Sequence, residues 1–328
     1  MEPDRPTRTS ATRGVARFAW FVLAYFILVV LWGALVRATN SGGGCGAHWP
    51  LCNGYINPLH HPRLATVIEF AHRQSTTVAT CLMIALAVWT FRATERRHRA
   101  RKAAVWSIVF LVTEALLGAA LVLRGWVEQN NSTGRVVAQA IHFTNTLLLM
   151  AALTLTAAFL SRTERTASGA KWRLAAWLAA GATIVMGATG ALAALADTLF
   201  PSTSVAAGLA QDFAAGAPVL VRMRWLHPAA ALVGSGCVAW VIFERWRLRG
   251  WDRLNVVVPV LLGVQFVLGV VDVLLLAPAW MQLLHLLGAD VYWTALVLLV
   301  SDALWPDASG VPTPMSAVAA NRRSIATP

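Results

Sequence analysis

Four of the eight histidines lie near the start of a long apolar segment. They are His72 in "IEFAHRQS", His142 in "QAIHFTNT", His227 in "RWLHPAAA" and His285 in "MQLLHLLG". An ionisable side chain within a membrane-length segment is costly and usually functional, although one interhelical hydrogen bond would explain a single histidine. Imidazoles from facing helices can hold a haem between axial ligands. The pattern therefore predicts two haem sites, His72 with His142 and His227 with His285.

A carboxyl group accompanies only one of these sites. Glu69 precedes His72 by three residues, and residues at that spacing share a helix face. The carboxyl could move protons or bind a reacting oxygen species. Alternatively, it is a helix-start carboxylate that the helix dipole favours. Because the matching position in the second half is Arg224, we expect one site to perform chemistry and the other to transfer electrons.

Further charged residues lie inside or at the edge of the apolar segments. Glu114 lies in the middle of one segment, where Gln265 is its counterpart, and a structural contact and a proton path are both open. Asp272 is a similar case. Arginines near the predicted outer boundary could pair with carboxylates, including haem propionates, or could simply extend toward the interface. These arginines are Arg37, Arg73, Arg124, Arg222 and Arg224.

The composition places these residues in a membrane protein. The chain has 328 residues, of which 57% are hydrophobic and 13% charged, whereas a soluble domain carries roughly a quarter charged residues. Eight apolar segments reach the length of about 20 residues that a bilayer requires. They are 18–37, 69–91, 104–124, 138–160, 173–196, 225–243, 254–276 and 280–301. We expect no cleavable signal peptide, because no A-x-A site follows the first segment.

The connecting segments alternate in charge, which predicts the orientation. Three connections are short and basic, namely "RATERRHRARK", "SRTERTASGAKWR" and "ERWRLRGWDR", and both tails are also basic. The positive-inside rule predicts a multi-pass protein of the cell membrane with both termini in the cytoplasm. The net charge of +12 follows from these connections, so we expect no nucleic-acid partner.

The segments read as two sets of four. The number of residues between matched positions in the two sets is similar for three pairs: His72 and His227, Gly118 and Gly269, and His142 and His285. Each half keeps the same direction across the membrane, which is typical of a parallel repeat. The predicted fold is all-α, with eight transmembrane helices in two pseudo-symmetric four-helix bundles. The predicted divisions are a tail (1–17), an N-terminal half (18–165), a C-terminal half (166–305) and a second tail (306–328).

The segment "GCGAHWPLCNG" carries Cys45 and Cys52 on the predicted outer side, where thiols can be oxidised. This location favours a Cys45–Cys52 disulfide. Two unpaired thiols, or half of a metal site with His48, His60 and His61, are the alternatives.

Five stretches resemble the haem A synthase family of cytochrome-oxidase assembly. They are "GALVRATNSGGGCGAHWPLCNG", "IEFAHRQ", "QAIHFTNTLLL", "DTLFPSTS" and "RWLHPAAA", and they follow the family order over almost the whole chain. The resemblance implies an enzyme that oxidises a methyl group of haem O to a formyl group. The product, haem A, serves terminal oxidases.

The resemblance also implies a role for each site residue. His72 and His142 match the pair associated with the substrate haem, and His227 and His285 match the pair that binds a haem b cofactor. Glu69 matches the acidic residue near the substrate. We expect Arg37 and Arg73 to bind haem, and haem O synthase and an electron donor are candidate partners beside membrane lipid.

Two further matches concern the loop and the third segment. Cys45 and Cys52 match an outer-loop pair thought to form a disulfide. Glu114 departs from the family, where glutamine is expected more often.

Other classes of protein share some of these features. A di-haem cytochrome b electron carrier would use the same four histidines without oxidising a substrate. A transporter would fit the repeat but not the histidine pairs. A haem O synthase is disfavoured, because the sequence contains no Asp-rich diphosphate-binding motif.

Overall fold

A computed structural model describes residues 10–57, 63–161 and 169–305, and these residues fold into ten α-helices. The helices are α1 (Ser10–Ala38), α2 (Leu64–Ala93), α3 (Arg99–Leu123), α4 (Thr133–Ser161), α5 (Ala170–Leu199), α6 (Val205–Phe213), α7 (Val219–Arg222), α8 (Leu226–Arg249), α9 (Arg253–Leu274) and α10 (Ala279–Leu304). Over the described ranges, the only β-type pairing is one isolated bridge between Cys52 and Tyr55.

Among the described residues, eight helical segments are long and apolar enough to cross a membrane, with α7 and α8 counted together as Val219–Arg249. The prediction of an all-α, multi-pass membrane protein is therefore confirmed. The helices extend beyond the predicted apolar segments: α8, for example, ends at Arg249 rather than at residue 243. A helical backbone satisfies its own hydrogen bonds and can continue into polar residues where water replaces lipid.

The loops fall at two ends of the helices, because short connections between long neighbouring helices make them antiparallel. One end, here called the disulfide face, carries the connections α1–α2, α3–α4, α5–α8 and α9–α10. The other, the basic face, carries α2–α3 and α8–α9. All four site histidines lie within the first three turns of helices that start at the disulfide face.

The helix contacts follow the two halves of the chain. In the first half α1 and α3 each contact α2 and α4, and in the second half α5 and α9 each contact α8 and α10. The halves meet through α1 and α4 on one side and α5 and α10 on the other. These contacts support two four-helix bundles, which stay a prediction together with the four divisions of the chain and their pseudo-symmetry.

The interior between the halves is filled by large side chains. Trp172, Tyr292 and Leu149 are almost completely buried, and Trp293 on α10 donates a hydrogen bond from its indole Nε1 to the carbonyl oxygen of Leu147 on α4 at 2.8 Å. Burying the indole body while satisfying its one donor is the usual solution for a tryptophan in a core. This packing fixes the rotation of α4 and α10, the two helices that carry His142 and His285.

Candidate active site

Each of the four histidines packs its ring against a glycine of a neighbouring helix. An idealised Cβ placed on the glycine would lie within 4 Å of the imidazole Cε1 atom in every case, and within 3 Å in one. The pairs and distances are Gly33–His72 (3.1 Å), Gly118–His142 (3.9 Å), Gly190–His227 (2.9 Å) and Gly269–His285 (3.4 Å). The same arrangement thus occurs four times, once for each predicted ligand.

Sequence reasoning matched Gly118 with Gly269 but missed the other two glycines. Gly33 and Gly190 each begin a Gly-Ala-Leu triplet, which was the available signal. Their lack of a side chain is what lets an imidazole lie directly against the opposing backbone.

His227 and His285 face each other across the C-terminal half. Their ring centroids are 6.2 Å apart and the rings are inclined by 82°. Two imidazoles that ligate one metal ion from opposite sides, with bonds of about 2 Å, would place their centroids about 6 Å apart. The pair therefore fits a haem between axial ligands. His227 Nδ1 lies 3.0 Å from the carbonyl oxygen of Met186, so the tautomer that donates this hydrogen bond leaves Nε2 free for iron.

His72 and His142 are the corresponding residues in the N-terminal half, on α2 and α4, which both contact α1 and α3. The Nδ1 atoms of both rings are buried and without a hydrogen-bond partner. Buried polar atoms without partners are rare and require an explanation. Neither Nδ1 atom is committed to a protein hydrogen bond, and a haem ligated from both sides would be held by the Nε2 atom of each ring, as the haem prediction requires.

Glu69 lies one turn before the histidine of α2 and is only 3% exposed. Its Oε2 accepts a hydrogen bond from the backbone N–H of Cys45 at 2.7 Å, and its Oε1 accepts two from Arg73, at 3.1 Å from Nε and 2.5 Å from Nη2. Arg73 also donates to the carbonyl oxygens of His48 and Leu51, both at 2.8 Å. The carboxylate and its guanidinium partner therefore fasten the cysteine loop to α2.

The predicted disulfide between Cys45 and Cys52 is present, and both residues are buried. The loop sits directly on the first turn of α2: Thr66 donates from Oγ1 to the carbonyl oxygen of Gly44 at 2.7 Å, and a Cβ on Gly44 would lie 2.4 Å from the backbone of Ala65. The alternatives of free thiols or a metal site are thereby excluded for this cysteine pair. His60 and His61, considered for such a site, lie outside the described residues.

Arg37 lies between the two halves rather than in open space at the boundary. Its Nη1 donates to the carbonyl oxygen of Ala194 at 2.7 Å and to Thr198 Oγ1 at 2.8 Å, both on α5. Its Nη2 donates to Gln282 Oε1 on α10 at 2.8 Å. The guanidinium therefore joins α1 of the first half to two helices of the second.

The other predicted arginines have their own surroundings. Arg224 forms an ion pair with Asp197 at 2.9 Å, and Arg124 lies over the ring of Trp126. Arg222 lines a cleft of about 440 Å³ formed by α6, α7 and the start of α8. Pairing of any of these residues, or of Arg37 and Arg73, with haem propionates stays a prediction.

Glu114 on α3 lies beside the histidine of α4. Its Oε2 accepts a hydrogen bond from Asn145 Nδ2 at 2.5 Å, its Oε1 accepts one from Thr146 Oγ1, and its Oε1 is 3.7 Å from His142 Nδ1. Sequence reasoning missed Asn145 and Thr146, although the polar run after His142 in "HFTNT" was a visible signal. Asp272, on α9, has one buried carboxyl oxygen without a partner.

A groove of about 460 Å³ runs along the outward side of α3 and α4, beside this group. It is lined by Thr113, Leu116, Leu117, Ile141, Thr144, Asn145 and Leu148. Leu116 and Ile141 are exposed, so the groove opens toward the surrounding lipid rather than into the helix bundle.

Comparison with known proteins places the whole arrangement in a family. Residues 16–297 match the COX15-CtaA family, described as cytochrome oxidase assembly protein. The chain is 41% identical over 302 residues to a protohaem IX farnesyltransferase of Thermus thermophilus, a match that covers 90% of this chain and 50% of that protein. It is 34% identical over 139 residues to a haem A synthase of Exiguobacterium sp. (42% of this chain, 43% of the relative). With a haem A synthase of Bacillus licheniformis the identity is 39% over 129 residues, or 39% of each chain. The chain thus spans about half the length of the curated relatives it matches, or less.

Proposed function

The chain belongs to the COX15-CtaA family of cytochrome oxidase assembly proteins, and from this membership we propose that it is a haem A synthase. In this proposal it oxidises a methyl group of haem O to the formyl group of haem A, which terminal oxidases use. The observation that carries the proposal is the facing pair His227 and His285, within a family whose curated relatives include haem A synthases.

The two sites have different roles in this proposal. His72 and His142 hold the substrate haem, and His227 and His285 hold a haem b that passes electrons. The bound iron porphyrin supplies the redox chemistry that no side chain can perform. The chain's own residues bind and orient the haems, and the disulfide loop, fastened by Glu69 and Arg73, covers α2 at the substrate site.

The route of the substrate follows from its chemistry. Haem O carries a long isoprenoid tail and partitions into lipid, so it reaches the protein from within the bilayer. The groove between α3 and α4 lies beside the substrate site and is mostly apolar, which supports entry from that side. The basic connections support cytoplasmic termini, so that both haem sites lie near the outer surface of the cell membrane.

A haem O synthase is the proposed partner. The relative from Thermus thermophilus is named a protohaem IX farnesyltransferase, and the present chain covers only half of it. In the relative from Thermus thermophilus, the region that matches this chain is therefore joined to a second region of similar length. We expect a separate farnesyltransferase to associate with this chain in a detergent extract, which co-purification with a tagged chain would detect.

The electron-carrier alternative is not favoured. A plain carrier would have no need for two unlike sites, yet Glu69, Glu114 and the disulfide loop all belong to the N-terminal half. The curated relatives reported above carry the names of haem-modifying enzymes rather than of electron carriers.

Identification of the bound haems tests the proposal. The protein would be purified in detergent, and its haems extracted and separated by chromatography, with pyridine haemochrome spectra recorded in parallel. We expect haem b together with haem O or haem A. Haem b alone in both sites would contradict the enzyme and favour the carrier, and protein free of haem would contradict both.

A further inference from the structure

The carboxyl group of Glu114 is held in place by the helix it faces. Asn145 and Thr146 of α4 donate to its two oxygens, and Asn145 is itself fixed because its Oδ1 accepts from Thr113 Oγ1 at 2.7 Å and its Nδ2 donates to the carbonyl oxygen of Phe110 at 2.9 Å. Asn145 and Thr146 are both buried. The group is therefore a built network rather than a single chance contact.

This network points at the ring of His142. Glu114 Oε1 is 3.7 Å from His142 Nδ1, and that ring nitrogen is buried without a hydrogen-bond partner. Thr146 Oγ1, which contacts the carboxylate, also lies 3.0 Å from the backbone carbonyl oxygen of His142, one turn earlier on α4. At 3.7 Å, the two atoms lie slightly beyond hydrogen-bond distance.

The C-terminal half lacks the network at every matching position. Gln265 replaces the carboxylate, and residues 288 and 289, which match Asn145 and Thr146, are glycine and alanine. Gln265 Nε2 packs where a Cβ on Gly288 would lie, 2.1 Å away, and it has no hydrogen-bond partner. His285 therefore has no acceptor of this kind, whereas His142 has a carboxylate.

A carboxylate behind a metal-bound imidazole fixes the ring's orientation and makes it a stronger electron donor. We propose that Glu114 is a positioning residue for His142, which gives the substrate haem a more electron-rich ligand than the haem b of the other half has. This inference rests on the proposed function for the identity of the two haems.

The variant E114Q tests the inference, since it keeps the shape of the side chain and gives the N-terminal half the residue of the C-terminal half. Redox titration would be followed at the separate absorption bands of haem A and haem b. We expect the midpoint potential of the N-terminal haem to rise, because a weaker donor stabilises iron(III) less, and that of haem b to stay unchanged. The control D272N changes an intramembrane carboxyl of the other half and should leave the N-terminal potential at its wild-type value.

A second variant separates this role from a purely structural one. T146V removes one donor to the carboxylate but keeps its charge, which leaves the carboxylate a stronger acceptor for the ring, and it should move the same potential in the opposite direction by a smaller amount. An unchanged midpoint potential of the N-terminal haem in E114Q would overturn the inference. If E114Q does not fold, an unchanged potential in T146V would overturn it instead. Wild-type protein with haem b in both sites would contradict the proposed function, yet a two-step titration of the two haems would still show whether E114Q shifts one of them.

Discussion

At the scale of single residues, the glycines matter as much as the histidines they contact. A histidine near a helix start is visible in the sequence, but the rings opposite Gly33 and Gly190 lie so close to the neighbouring helix that a side chain at either glycine would force a shift. Gly190 is the tightest of the four, with its idealised Cβ 2.9 Å from Cε1 of His227. Since Nδ1 of this ring is also bound to the Met186 carbonyl, the imidazole has little freedom to move aside.

We therefore expect Gly190→Ala to displace His227 and to reduce haem b content several-fold, with little effect on helix content. A control is Gly236→Ala on α8, because a Cβ at that position meets nothing within 4 Å. Haem b per polypeptide, measured by pyridine haemochrome, and circular dichroism would be compared between the two variants. Equal haem b in both would show that the close approach is unimportant.

Glu69 gives a second prediction at this scale. The proposed catalytic role and the observed fastening role differ in which substitution they tolerate. Glu69→Gln keeps an oxygen that can accept from the Cys45 N–H but removes the charge paired with Arg73, whereas Glu69→Ala removes both contacts and leaves a buried donor unpaired, at a cost of about 1–3 kcal/mol.

If the carboxylate itself is needed for haem A formation, both variants should lose haem A and retain haem b. If Glu69 only fastens the loop, Glu69→Gln should keep most of its haem A while Glu69→Ala loses it. Extracted haems would be quantified beside a thermal unfolding midpoint for each variant. Wild-type haem A in Glu69→Ala would remove Glu69 from any essential role.

At the scale of elements, the start of α9 shows how a helix end at the basic face is fixed. Asp252 caps α9 by accepting hydrogen bonds from the backbone N–H groups of Leu254 and Asn255, and its other oxygen accepts from Arg245 at 2.5 Å. Arg245 also contacts Asp302 of α10 at 2.6 Å, so α8, α9 and α10 are joined at one point.

The pKa of Asp252 leads to a pH prediction for this junction. Partial burial alone would raise its pKa, but the hydrogen bonds from Arg245 and from the helix start outweigh burial and leave the pKa below its ordinary value. A carboxyl whose folded pKa is lowered stabilises the fold above its unfolded pKa, near 4, and this stabilisation is lost as the pH falls through the folded pKa.

We expect the thermal unfolding midpoint of the detergent-solubilised protein to decrease when the pH is lowered below about 4. The variant Asp252→Asn should show a smaller decrease over the same pH range. An asparagine can still cap the helix, so the variant isolates the charge from the cap. Differential scanning fluorimetry between pH 3 and pH 7 would measure both curves. Parallel curves for the two proteins would rule out a contribution from this carboxylate.

At the scale of the whole molecule, the sequence predicts what local chemistry determines. Apolar length and the charge of the connections predict eight spans, and the spacing of His72, His142, His227 and His285 predicts the paired sites. The short helices α6 and α7 were not predicted, because nine and four residues are too short to give a membrane-length signal. Helix rotation, which packing alone determines, decides that Glu114 meets Asn145 and that Arg37 meets α5 and α10.

Arg37 was expected to face a haem, and its observed contacts suggest a different main role. Its side chain is partly buried between the halves and donates to the carbonyl oxygen of Ala194, to Thr198 and to Gln282. Lysine has a point charge and fewer donors, and it cannot span acceptors on two helices as the planar guanidinium does. An acceptor on α5 or α10 would then be left without its donor.

Arg37→Lys should therefore lower the free energy of unfolding by roughly 1–3 kcal/mol, seen as a lower thermal midpoint, and weaken the coupling between the two halves. If the residue fastens the halves, haem b and the N-terminal haem should both be lost more readily on heating. If it instead holds a propionate of one haem, only that haem should be lost and the midpoint should change little. Heating the variant while recording both haem spectra distinguishes these outcomes, and wild-type values for both would show that the partly buried guanidinium is replaceable.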